Sequence, residues 1–129
     1  MINFKNSKVL TIAILCIGQY TVADAFVVKN TSVVPIWVIL RYEGTPLNVF
    51  DEKLVKQGQT WNVDTGTKAL SFVQANNVAG RVIATLFVNP RIPIGSIQYS
   101  GMLESYYTHE LKAYGKKGKL LGTAQYSGG

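Results

Sequence analysis

The feature that most constrains this chain is its cadence. From residue 26 onward, short alternating or apolar runs are cut by turn signals roughly every 8 to 13 residues, the spacing of consecutive β-strands. The run 34–42 (VPIWVILRY) is the strongest. Its even positions Val34, Ile36, Val38 and Leu40 are wholly aliphatic, and its odd positions Pro35, Trp37, Ile39 and Arg41 are half apolar. A strand apolar on both sides belongs in the middle of a sheet or under another layer. Proline cannot donate to a ladder, so Pro35 must stand at the strand's start.

The weaker runs follow the same logic. Residues 59–64 alternate, with Trp61 and Val63 on one side. Strict alternation over 68–76 puts Leu70 and Phe72 on one face and Ala69, Ser71 and Val73 on the other; over 81–88 it groups Val82, Ala84, Leu86 and Val88. Residues 26–29, 94–99 and 119–126 supply further strands, and 47–56 reads as an edge strand or a loop. Residues 102–114 fit two patterns. A helix would gather Leu103, Tyr106, Tyr107, Leu111 and Tyr114, with Gly115 as its stop. A strand from about Ser105 is preferred, because Tyr-Tyr-Thr favours extended backbone and Gly115-Lys116-Lys117-Gly118 reads as a hairpin tip. The expectation is an all-β chain: a single antiparallel β-sandwich, immunoglobulin-like in size, of seven to nine strands, with a small β-barrel as the alternative.

Before this domain comes a secretory leader. Lys5 and Lys8 give a positive start, residues 9–17 (VLTIAILCI) an apolar stretch, and Ala23-Asp24-Ala25 a small-x-small cleavage site. The apolar stretch is shorter than the roughly 20 residues a membrane-spanning helix needs. Lipidation of Cys16 is disfavoured by the bulky Leu15 before it. The expected division is a cleaved signal peptide over 1–25 and one domain over 26–129, secreted or periplasmic. Cleavage removes Cys16, the chain's one cysteine, and leaves 11 basic against 6 acidic residues, a net charge of about +5. The exported domain therefore has neither disulfides nor thiol chemistry. At about 100 residues it can bury enough surface to stand without cross-links.

Catalytic chemistry finds little support. A Ser/His/Asp site would have to recruit His109, the one histidine, with Asp51 or Asp64 far off in sequence, and there is no Gly-x-Ser-x-Gly elbow. One histidine is too few for a zinc site, and Asp51, Glu52 and Asp64 lack calcium-loop spacing. Glu104 and Glu110 on one strand would stand roughly 20 Å apart, too far for glycoside hydrolysis. Gly115, Gly118 and Gly122 lack the strand-to-helix context of a phosphate loop. Asn30-Thr31-Ser32 is a glycosylation sequon that short sequences often contain by chance. The reading is a non-enzymatic protein with no metal and no cofactor.

Binding is the better-supported class. Lys112, Lys116, Lys117 and Lys119 fall within eight residues and beside Tyr106 and Tyr114, a pairing suited to an acidic protein surface or an anionic surface glycan. Trp37 joins these candidates if no further element covers its face of the strand. Export argues against nucleic acid as the partner. Peripheral contact with anionic lipid, as in a membrane-active or pore-forming protein, is one alternative. Assembly into a larger structure by strand addition is the other.

Overall fold

The computed structural model describes residues 25–101 and 108–127, so residues 1–24 of the expected leader, and Tyr106 and Tyr107, lie outside the described residues. Nine strands form: β1 (Ala25–Asn30), β2 (Ile36–Tyr42), β3 (Asp51–Val55), β4 (Thr60–Asp64), β5 (Leu70–Asn76), β6 (Val82–Phe87), β7 (Ile94–Gly101), β8 (Thr108–Gly115) and β9 (Leu120–Ser127). They build two packed sheets, β4-β1-β7-β8-β9 and β3-β2-β5-β6, which do not close into a barrel. The fold is the expected β-sandwich. Neighbouring strands run antiparallel except β1 and β7, which pair in parallel from Val27↔Ser96 to Asn30↔Tyr99. Hydrophobic alternation shows which side chains turn inward. It carries no information on the direction of a partner strand, so this pair was invisible in the sequence.

Between the sheets lies one core. Val28 from β1, Ile36, Val38 and Leu40 from β2, Val73 and Ala75 from β5, Ile97 and Tyr99 from β7, and Leu111 and Ala113 from β8 have no exposed surface. Burying each larger aliphatic side chain is worth about 1.5–3 kcal/mol. β2 starts immediately after Pro35, as the missing N–H requires, and its even positions are the buried ones. Residues 51–55 form the edge strand β3, whose Asp51, Glu52 and Lys53 suit an open edge. The described part of the ambiguous segment, from Thr108, is strand.

One polar side chain ties a corner of the sandwich. Asn30 is 1% exposed. Its Nδ2 donates to the carbonyls of Val34 (2.8 Å) and Val55 (2.9 Å), and its Oδ1 accepts from the Ser32 N–H (2.9 Å) and Ser32 Oγ (2.6 Å). The side chain at the end of β1 thus holds the turn into β2 and the end of β3, satisfying carbonyls that burial would otherwise leave unpaired.

Two bulges in the four-stranded sheet reset its inside-outside alternation. Phe72 pairs with Arg41 while Leu70 pairs with Tyr42, leaving Ser71 as an extra residue in β5. Ala84 pairs with Ala75 while Val82 pairs with Asn76, leaving Ile83 as an extra residue in β6. A bulge inserts one residue and flips the parity beyond it. Leu70 therefore faces the core with Val73 and Ala75, and Phe72 faces outward. Val82 leaves the face it was expected to share with Ala84 and Leu86 and is 48% exposed. These corrections concern two residues only, yet both add apolar surface to the same outer face.

Candidate recognition surface

The two outer faces of the sandwich differ in how much large apolar surface they expose. Across the five-stranded sheet runs a register row of Thr60, Lys29, Gln98, Lys112 and Thr123, polar in every strand. On the four-stranded sheet the row of Arg41, Phe72 and Phe87 joins β2, β5 and β6, and another joins Leu54, Trp37, Asn76 and Val82. Phe87 is 76% exposed, and Leu47, in the β2–β3 loop beside it, is 81% exposed. The rings of Phe72 and Phe87 lie 5.1 Å apart with their planes at 59°, a favourable tilted geometry for aromatic pairs.

This aromatic row borders a groove of about 360 Å³ lined by Arg41, Thr45, Pro46, Leu47, Phe72 and Phe87, among others. The loop after β2 forms its wall. Gly44, at φ 77°, takes the left-handed turn that starts this loop, and the Thr45 hydroxyl donates to the Tyr42 carbonyl at 2.8 Å. Arg41 is fixed by two contacts: Nη1 donates to the Leu47 carbonyl, and the guanidinium lies over the Phe50 ring, 5.0 Å from its centroid. Such stacking suits a planar, weakly hydrated cation. Below the groove, Tyr42 is buried and donates to Asp51 Oδ2 at 2.6 Å. Burial, with the hydrogen bond to Asp51 and its charge, pushes the Tyr42 phenol well above its ordinary range.

The lysine and tyrosine candidates are only partly gathered. Lys112 and Tyr114 lie on the outer face of the five-stranded sheet, half-buried, with Lys112 Nζ 3.3 Å from Glu110 Oε1. That pair sets a carboxylate beside the expected cation. Lys116, Lys117 and Lys119 are exposed in the β8–β9 hairpin. Lys116 Nζ donates to the Ala25 carbonyl at 2.5 Å, a contact that cleavage after Ala25 would remove. Tyr106 lies outside the described residues. Trp37 is half-buried on the outer face of the other sheet, so it cannot share one contact surface with the lysines.

His109 and Asn30 make contacts within the sandwich, and Glu104 lies outside the described residues. His109 Nδ1 lies 2.5 Å from the hydroxyl of the buried Tyr99, with the two rings nearly parallel. Gly101 makes room for this contact: a Cβ there would stand 2.8 Å from His109 Nδ1. Burial lowers the His109 pKa and raises that of Tyr99 to about 12. The sequon asparagine is the corner staple, and both of its amide protons are already engaged. Among the described residues no three His, Cys, Asp or Glu side chains are grouped to hold a metal ion.

Sequence reasoning singled out Trp37 on this sheet but missed Phe72 and Phe87. The available signal was the unusually apolar make-up of residues 82–87, VIATLF, which leaves one large side chain outward whichever face is buried. No family model, curated protein or solved structure matches this chain.

Proposed function

We propose that this chain is an exported, non-enzymatic binding module, and that the outer face of its four-stranded sheet contacts an acidic protein partner. The observation that carries the reading is the difference between the two outer faces: one has a wholly polar central row and Leu120 as its exposed large aliphatic side chain, the other bears Phe72, Phe87, Trp37 and Val82, with Leu47 and Phe50 of the adjoining loop, around Arg41. Exposed apolar surface set among polar residues is a mark of interaction sites, and aromatic residues and arginine are the side chains interfaces favour. The exposed lysines of the β8–β9 hairpin give the domain's net positive charge a long-range steering role toward the same acidic partner.

The test is retention of the partner from the exported fraction by three immobilised proteins. The wild-type domain and Lys117→Glu/Lys119→Glu should both retain it, the latter with a slower association rate that depends less on salt. Phe87→Ser/Leu47→Ser should lose it. Equal retention by the Phe87→Ser/Leu47→Ser protein would exclude this face.

A second reading has one observation in its favour. β6 (VIATLF) and β9 (LLGTAQYS) are edge strands with no charged residue and no proline, unlike β3 with its Asp51, Glu52 and Lys53. Uncharged edges can accept an added strand, which is what a subunit assembled by strand addition requires. Concentration-dependent light scattering distinguishes the two, since a strict monomer at all concentrations contradicts self-assembly.

A further inference from the structure

We infer that the groove beside Phe87 is built to take a carboxylate flanked by an apolar side chain, the chemistry of an acidic residue within a hydrophobic protein segment. The inference rests on the binding-face reading above and adds the ligand's chemistry to it.

Charge and shape both lead there. Arg41 is half-buried, and among the described residues it has no carboxylate within salt-bridge distance. Its guanidinium is held by the Leu47 carbonyl on one side and the Phe50 ring on the other, so its orientation is set before any ligand arrives. The remaining guanidinium N–H groups have no acceptor among the described residues. A guanidinium offers paired donors in a fixed fork that matches a carboxylate's two oxygens. Beside the apolar walls of the groove, such a pair is less screened by water than on open surface.

The walls restrict what can accompany the anion. Pro46, Leu47, Phe72 and Phe87 are apolar, and Arg41 is the one cation among the lining residues. A sulfated glycan would bring several anions and many hydroxyls to a site with one cation and few polar partners. A volume of about 360 Å³ is at the small end of ligand pockets, which run roughly from 300 to 1,000 Å³. It accommodates a side chain or two, not a large ligand. One acidic and one aliphatic or aromatic side chain on a peptide match both the charge and the space.

The test uses the mature domain and two terminally blocked tripeptides, acetyl-Phe-Glu-Leu-amide and its glutamine counterpart, followed by NMR titration. The glutamate peptide should shift the Arg41 side-chain N–H and the Phe72 and Phe87 ring resonances saturably, and the glutamine peptide should bind about tenfold more weakly, as expected for loss of a charge-assisted pair. Arg41→Gln should erase that preference. Arg41→Lys, which keeps the charge and loses the fork, should fall between. Equal affinity for the two peptides at this groove would overturn the carboxylate assignment and leave the binding face standing. Shifts confined to the β8–β9 hairpin lysines would overturn the assignment and count against the face as well. Absence of saturable shifts up to about 10 mM peptide, a range in which weak contacts are still read, would also overturn it.

Discussion

Phe72 and Phe87 face each other across β5 and β6 with ring centroids 5.1 Å apart, and both rings point away from the core. Phe72 alternates with the buried Val73 and Ala75, and the extra residue Ser71 lets Leu70 turn inward without it. Phe87 keeps three-quarters of its surface in water at the end of an edge strand. A pair so placed adds little to the stability of the isolated domain, which separates a recognition role from a packing role by measurement.

Phe87→Ser should lower the unfolding free energy by less than about 1 kcal/mol, the range of surface substitutions. Leu40→Ala, in the fully buried row of β2, should cost about 3 kcal/mol. Urea denaturation of the two variants reads both values. A loss at Phe87 as large as that at Leu40 would mean that the ring is part of the core.

Asn30→Ala should cost about 3 kcal/mol, because it strands the buried carbonyls of Val34 and Val55 along with the Ser32 hydroxyl. The midpoint of thermal unfolding reports it. The same geometry bears on the sequon: the folded, monodisperse fraction from a glycosylating host should carry no glycan at Asn30, as intact-mass measurement would show.

Burial holds the His109 imidazole below its ordinary pKa. The unfolded chain then takes up a proton at a higher pH than the folded one, so stability falls as the pH drops through about 6.5 and levels off once the folded-state value is passed. Above about pH 7.5 both states are neutral at this site and it contributes no slope. Denaturation midpoints between pH 7.5 and 5.5 should decline for the wild type and stay flatter for His109→Gln. Parallel declines would assign the effect to other groups.

Much of the fold was legible because one physical rule dominates it. Ile36, Val38 and Leu40 of β2 are aliphatic and are buried, Pro35 stands where its missing N–H is harmless, and Gly115–Gly118 turns β8 into β9. Where the rule is interrupted, reading from sequence fails. The bulges at Ser71 and Ile83 shift parity by one residue, and nothing in LSFVQAN or VIATLF announces the shift. The site was less legible than the fold for the same reason: strict alternation placed Phe72 on one face with Leu70, which the bulge separates. Of the lysines conspicuous in sequence, Lys112 stands beside Glu110 on the sheet and Lys116, Lys117 and Lys119 are exposed in one hairpin. Arg41, Phe72 and Phe87 lie on three different strands and meet only through strand register.

The most direct test of the recognition surface is a photo-crosslinking scan in cells that produce the protein. A benzophenone amino acid would be placed singly at Phe87, at Thr123 on the polar outer face, and at Lys117 in the hairpin. The account expects a discrete protein adduct from position 87 that is lost with Arg41→Gln, no adduct from 123, and at most a minor one from 117. An adduct that forms from 123 or 117 and not from 87 would contradict it.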